Sequence, residues 1–357
     1  MPPFLDRLAC VRRRHLIGIA MAGASVLSVP VQAKETAIKF QLDCRFEGPA
    51  ALFLMPAAKR HFKAEKLNVT IDAGNGSGGT ATRVASATCD TGFADLAALM
   101  EFRANEPTAP NKPVPVTMVY DHTPSEVLAL KKSGLETPAD LNGKKLAAPM
   151  FDAGRKAWPI FAKANRASNV SWTAMDPALR ETLRVRGDID VITGFSFTPL
   201  FNLEARDVKA GDVVLPPCAQ YGLKLHGSAI ILSEEFLNKN PEEAKAFLRA
   251  FTNGVKDVVD DPKGAIANVK ERDGIINDEL ELRRLKLALD ANVLTPDTLA
   301  EGFGDELEPR QAPRLALMAS QVAKAFATKE LSNPDAVWNA AFLPGASERD
   351  IFAVATK

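Results

Sequence analysis

Four glycines fall within six residues in Gly74-Asn75-Gly76-Ser77-Gly78-Gly79. The stretch follows an alternating strand pattern (Leu67, Val69, Ile71) and runs into a small-residue helix through Thr80, Ala81, Val84 and Ala85. Glycines at a strand-to-helix junction let a ligand approach the backbone, and the helix start offers unpaired N–H groups and the positive end of a dipole. Ser77, Gly78, Gly79 and Thr80 are therefore candidate ligand donors. Gly74, Gly76 and Gly79 also satisfy Gly-x-Gly-x-x-Gly, with Asp95 about twenty residues on, as a dinucleotide fold requires. That motif alone is weak, and a glycine-rich turn without a ligand fits the same residues.

The N-terminus limits these choices. Arg12-Arg13-Arg14 precede an apolar run from Leu16 to Val31, and Val31-Gln32-Ala33 has the small residues of a cleavage site. Residues 1–33 read as a signal peptide, with a twin-arginine pattern in which His15 stands where Phe is usual; Sec export remains open. Cys10 lies before the apolar run and is not a lipoprotein cysteine. The expected location is the bacterial periplasm, which weighs against a nicotinamide cofactor. Removing 1–33 takes Arg7, Arg12, Arg13, Arg14 and Asp6 from a chain of 44 basic and 44 acidic residues, leaving 40 against 43. A nucleic-acid protein would show a basic excess. Cys44, Cys89 and Cys218 are too few and too scattered for a disulfide framework, though one bridge is possible, and no Cys/His cluster has zinc spacing. No metal and no cofactor are expected.

Strand and helix patterns alternate along the chain. Ile38–Asp43 reads as a half-buried strand leading into the loop Cys44–Pro49, followed by a helix from about Ala50 to Ala64. Thr91–Asp95 and Val116–Tyr120 are further strands. Asp121–Pro124 interrupts the pattern, and a second set begins with strands at Val127–Leu130, Lys145–Ala148, Val170–Trp172, Ile189–Thr193 and Val213–Leu215. Leu225–Leu232 is a return strand. From Glu234 onward the pattern is helical, ending with Pro334–Asn339. The expected fold is α/β, two mostly parallel sheets in two lobes. Residues 34–122 with 225–357 would form one lobe and 123–224 the other, with crossings at Tyr120–Pro124 and Tyr221–Gly227. Ligands of such sheets sit beyond the C-terminal strand ends, so both lobes would aim loops at one cleft.

Each cleft candidate has a structural alternative. Asp95, after a buried strand, could accept from a ligand or cap the next helix. Glu47 could bind a ligand donor while Phe46 stacks, or form a loop salt bridge. Asp152 reads as a helix cap, and Arg155 could clamp an anion or pair with Asp152. Gly194-Phe195-Ser196-Phe197 follows a strand end, so its rings face either the cleft or the core. Tyr221 and His226 fall at the second crossing and suit a hinge. No Gly-x-Ser-x-Gly, His-Glu-x-x-His or Gly-Lys-Ser/Thr set is present, so no catalytic residue is assigned.

Phe46-Glu47-Gly48-Pro49, Gly76-Ser77-Gly78-Gly79, Gly92-Phe93-Ala94-Asp95 and the block Thr137–Leu146 together resemble the nitrate/sulfonate/taurine-type solute-binding proteins of ABC transporters. Binders of the pyrimidine precursor of thiamine belong to that group. The resemblance implies a monomeric periplasmic receptor of the two-lobed, type II-like fold. Such a receptor closes on a small-molecule ligand and delivers it to a membrane permease with a cytoplasmic ATPase, with no catalysis and no nucleic acid. Fungal pyrimidine-precursor synthases share the fold and are enzymes, but their cysteine-rich iron motif is absent from this sequence. Gly78-Gly79, Gly154 and Arg155 with the rings of Phe46, Phe195 and Phe197 suggest a small organic anion, a sulfonate or aromatic carboxylate. A pyrimidine precursor held by Glu47 and Asp95 is the rival.

Overall fold

The strand patterns resolve into two five-stranded sheets in the computed structural model, which describes residues 35–214, 218, 221–305, 312–328 and 338–352. In chain order the strands are β1 (Thr36–Gln41), β2 (Leu67–Asp72), β3 (Thr91–Asp95), β4 (Pro113–Met118), β5 (Ser125–Leu130), β6 (Lys145–Ala148), β7 (Ser171–Ala174), β8 (Val191–Phe195), β9 (Val213–Val214) and β10 (Ser228–Ser233). The first sheet has the order β2-β1-β3-β10-β4 and the second β7-β6-β8-β5-β9. Each is the centre of one lobe of a two-lobed α/β fold.

Four strands of each sheet run one way and one runs against them. The reversed strands are β10, antiparallel to β3 and β4, and β5, antiparallel to β8 and β9. These are the first strands after each crossing between sheets. The crossings lie at the C-terminal ends of the neighbouring strands, as the pairs Ser228–Asp95 and Ser125–Phe195 place them. A strand entering there starts where its neighbours end. The two crossings also run side by side: Gly227 N–H donates to Tyr120 O at 3.0 Å, Thr123 N–H to Leu225 O at 3.1 Å and Tyr120 N–H to Ser228 O at 3.0 Å.

On one face of the first sheet, Phe40 and Phe93 meet Phe53 from the helix Ala51–Ala58 and Phe247 and Phe251 from the helix Pro241–Asp260. The ring pairs lie 4.6–6.0 Å apart, within the range where offset and tilted aromatic contacts add to area burial. The opposite face carries the helices Ser77–Ala85 and Leu96–Asn105. The helix Ala312–Ala325 packs on both Leu96–Asn105 and Ala153–Asn165, burying Leu315, Met318 and Val322 with Leu99, Trp158 and Phe161. It therefore touches both lobes.

The structure corrects several element boundaries. The helix expected over Ala50–Ala64 breaks at Lys59–Arg60, where Arg60 takes a left-handed φ of 62°, and resumes as His61–Ala64. β1 ends at Gln41, leaving Asp43 in the loop. Residues 1–33, Leu215 and most of the expected helix Pro334–Asn339 lie outside the described residues. Among the described residues no helix is long and apolar enough to cross a membrane.

Phe251 is 1% exposed and contacts the rings of Phe53 and Phe303, whereas Leu299 is 62% exposed. Phe251→Ala should cost about 3–5 kcal/mol of stability in urea denaturation and Leu299→Ala less than about 0.5 kcal/mol.

Candidate functional site

A cavity opens between the ends of β1, β3 and β8, where the first crossing leaves β4. It holds about 370 Å³ of unfilled space including its mouth. From the first sheet and its loops come Leu42, Asp43, Cys44, Arg45, Glu47, Phe53, Phe93 and Tyr120. From the second come Phe195, Phe197 and Thr198. Tyr120 meets Phe93 and Phe197 edge-on at 5.2 and 5.8 Å, and Phe195 meets Phe197 at 5.8 Å. Rings from both lobes thus form a continuous apolar wall.

The polar wall is acidic. Asp43 is 5% exposed, and Ser77 Oγ donates to its Oδ2 at 3.2 Å. Burial pushes the Asp43 carboxyl up to about 7, with nearby Asp95 adding to the rise against the Ser77 hydrogen bond. Burial also acts to raise Glu47, but the Arg284 guanidinium, the Thr198 hydrogen bond and Arg45 overcome it and hold Glu47 below the usual carboxylate range. Thr198 Oγ1 donates to Glu47 Oε2 at 2.8 Å, a bond that joins the two lobes, and Arg45 donates to Oε1 at 3.0 Å. Cys44 opens on the cavity and is reached by solvent. Surrounding protein and the carboxyls of Asp43 and Glu47 nevertheless push its thiol well up. Burial likewise raises the Tyr120 phenol, followed by the effect of the same acids. Two carboxyls at different protonation levels beside a ring-lined space can accept hydrogen bonds from amino or ring N–H groups.

Of the candidates read from sequence, Glu47, Phe195 and Phe197 line this cavity, and Ser77 supports it through Asp43. Asp95 stands one step behind. It caps the helix Leu96–Asn105 by accepting from Ala98 N–H at 3.0 Å, while its own N–H donates to Ser77 Oγ at 2.9 Å. Burial raises its carboxyl to about 6. Thr80 Oγ1 donates to Leu42 O at 3.0 Å and so braces the wall from outside.

The glycine stretch divides in two. A Cβ on Gly74 would lie 1.8 Å from Leu42 O, and Gly76, at φ 97°, faces the Phe151 ring across the cleft. These two glycines are needed for close approach. A Cβ on Gly78 or Gly79 would meet nothing within 4 Å, so the helix start there is open.

Phe46 stacks under Arg272 at 4.5 Å and does not line the cavity. Asp152 caps its helix by accepting from Arg155 N–H at 2.8 Å and also accepts from Thr193 Oγ1 at 2.6 Å. Arg155 turns away: its Nη1 donates to Ala148 O at 3.1 Å and its guanidinium lies 5.2 Å from the centre of the Trp172 ring. It forms no part of the cavity wall. Gly194 is buried in β8, where a Cβ would meet Arg180 Nη1 at 2.7 Å. Ser196 N–H donates to Pro124 O at 2.8 Å, and Ser196 is also outside the wall.

Arg314 is a residue to which the sequence gives no pointer. Its helix returns to the crossings, where it donates to Asp121 O at 2.6 Å, His122 Nδ1 at 2.9 Å, His226 Nδ1 at 2.8 Å and Asp297 Oδ2 at 3.3 Å. Asp121, His122 and Asp297 have the proximity of a metal set, but the Arg314 guanidinium is already bonded to all three. His226 lies at the second crossing, fully buried.

Asp43, Asp95 and Glu126 all have folded pKa values raised to about 6–7. Such a group binds its proton more tightly in the folded state, so its contribution falls as pH rises from the unfolded value of about 4 through the folded one. Glu47 and Asp121 are lowered and act with the opposite sign below that window. The urea midpoint should therefore decline between about pH 4 and 7, and Asp43→Asn should flatten that decline; an unchanged slope would contradict the buried carboxyl.

No curated protein sequence matches the chain. Among solved structures, the aliphatic sulphonate binding protein SsuA of Escherichia coli is 13% identical, covers 87% of this chain and 94% of its own, and superposes with a TM-score of 0.68. The alkanesulfonate-binding protein SsuA of Xanthomonas axonopodis pv. citri, solved bound to MOPS, is 14% identical with coverages of 87% and 99% and a TM-score of 0.64. The desulfurization enzyme DSZB is 12% identical, with coverages of 85% and 97% and a TM-score of 0.52. At these identities the likeness is one of fold, shared by binding proteins and by an enzyme. A family model described as NMT1/THI5 like matches residues 50–265, more than half of the chain, and the protein belongs to that family.

Proposed function

We propose that the protein is the periplasmic solute-binding receptor of an ABC importer, and that its cavity takes a small, flat compound that donates hydrogen bonds, of the thiamine pyrimidine precursor type. The observation that carries this reading is the pairing of Asp43 and Glu47 with the rings of Phe53, Phe93, Tyr120, Phe195 and Phe197. A heteroaromatic ring fills the apolar wall while its amino and ring N–H groups meet the ionised Glu47 and the Asp43 carboxyl, the charge-assisted bond to Glu47 contributing about 1.5–3 kcal/mol. Among the described residues lining the cavity, the cationic side chain is Arg45, and it is engaged with Glu47. An organic anion would sit beside the ionised Glu47 with little to neutralise it.

Closure on the solute is a population shift, stabilised by contacts that the compound makes with both lobes at once. A permease with its cytoplasmic ATPase is the partner, and the receptor works as a monomer exported behind residues 1–33. We read it as a receptor and not an enzyme. Among the described residues the thiol at the cavity is that of Cys44, held in its protonated, weakly nucleophilic form.

The organic anion remains the second reading, on one observation: the open start of the helix Ser77–Ala85 at Gly78 and Gly79. The two readings separate by experiment. Mass spectrometry of denatured protein identifies the compound that co-purifies, and calorimetry on variants follows. Asp43→Asn or Glu47→Gln should weaken a donor ligand roughly ten- to a hundredfold, while Arg155→Ala changes its affinity little. An anionic compound that loses affinity with Arg155→Ala would reject the donor reading. Chemical turnover of the compound by purified protein would reject the receptor.

A further inference from the structure

The helix Asp278–Ala288 buries two charged side chains, Glu281 and Arg284, although neither lines the cavity. Arg284 is 2% exposed. Its Nε donates to Glu281 Oε2 at 3.0 Å, and its Nη2 donates to Asn202 Oδ1 at 3.2 Å. Its Nη1 donates to Phe197 O at 2.8 Å and Thr198 O at 3.0 Å, and stands 3.4 Å from Glu47 Oε2. Glu281 Oε2 in turn accepts from Gly48 N–H at 2.5 Å. A Cβ at Gly48 would lie 2.2 Å from Glu281 O, so the loop can approach this helix only because residue 48 is glycine.

One buried ion pair thus grips both sides of the cavity. Glu281 fixes the wall Glu47-Gly48-Pro49-Ala50, and Arg284 fixes Phe197 and Thr198 opposite. Arginine suits the task, since its planar fork supplies five donors in fixed directions, which a lysine cannot reproduce. The network continues into the second lobe. Asn202 Nδ2 donates to Glu181 Oε1 at 3.4 Å, and Glu181 accepts from Arg180 at 2.7 Å. Arg180 donates to Thr193 O at 2.8 Å beside Asp152. Separating the walls would break the Phe197, Thr198 and Asn202 bonds while leaving the Arg284–Glu281 pair on its own helix.

We propose that Arg284, paired with Glu281, is a positioning residue that sets the spacing of the two cavity walls and latches them together. It acts on a ligand through Glu47, Phe197 and Thr198 and touches no ligand itself. The proposal deepens the receptor reading in assigning that cavity as the binding site, but its test needs no solute. Cys44 is exposed at the cavity, whereas Cys89 and Cys218 are buried, so N-ethylmaleimide reaches it with the walls together. Fluorescein-5-maleimide carries a rigid ring system that must enter between the walls, so its Cys44 rate divided by that of N-ethylmaleimide reports how often they part.

Read by peptide mass spectrometry, Arg284→Lys should raise this ratio more than about tenfold, and Asn202→Ala or Thr198→Val roughly threefold to tenfold. Cys89 should stay protected. Thiol ionisation affects both reagents alike and cancels in the ratio, so the ratio should rise by the same factor at every pH from about 6 to 9. Should Arg284→Lys lose cooperative unfolding, Asn202→Ala decides, since it removes a bond that Arg284 makes across the cavity and keeps the Arg284–Glu281 pair. An unchanged ratio in cooperatively folding variants, including one in which both reagents speed up together, would overturn the latch. Ligand calorimetry could then still succeed or fail independently.

Discussion

The strand Ser228–Ser233 is buried along its whole length between β3 and β4. Its ladder joins residues 228–233 to strands completed more than a hundred residues earlier, so the chain between them must leave the first sheet and come back. The departure and the return are forced to lie together at one end of that sheet. There the two crossings bond to each other, and Arg314 ties them to the helix Ala312–Ala325. The second sheet is consequently held with its strand ends facing those of the first, and the space left between them is the cavity. Tyr120, the residue at which the chain departs, contributes its ring to that space.

Much of this architecture is legible in the sequence. Period-two alternation at 67–71 and the apolar runs at 116–120 and 228–232 reflect half-buried and fully buried strands, a local signal. Asp95 and Asp152 sit before helical patterns, and both cap them. The reversal of β5 and β10 follows from where the crossings lie, which only the assembled sheet reveals. The break at Arg60 is not announced at its own position: Pro56 sits inside the preceding helix, where it disturbs the turn before it, and a left-handed non-glycine residue leaves no mark in composition.

The cavity is harder to read. The strand end before them points to Phe195 and Phe197, and its loop points to Glu47. Asp43 looks like the last residue of a strand, and Tyr120 like part of a crossing. Arg155 stands out for its place at a helix start, yet its side chain is long enough to turn back to Ala148 and Trp172. Arg284 and Arg314 come from helices far along the chain, where the pattern of a buried arginine is the same as that of a solvated one. Their roles depend mainly on partners more than eighty positions away, contacts that periodicity does not encode. The electrostatics of the site have the same origin: Asp43 and Glu47 stand close together in the same loop, but burial raises one and Arg284 lowers the other.

A receptor of the kind proposed closes its two lobes on a solute held between them. Small-angle scattering on protein as purified, compared with protein stripped of its co-purified compound by unfolding and refolding, tests this closure directly. A larger radius of gyration for the stripped form, reversed when the compound is returned, is the expected result. Superimposable profiles with and without saturating compound would contradict closure between the lobes.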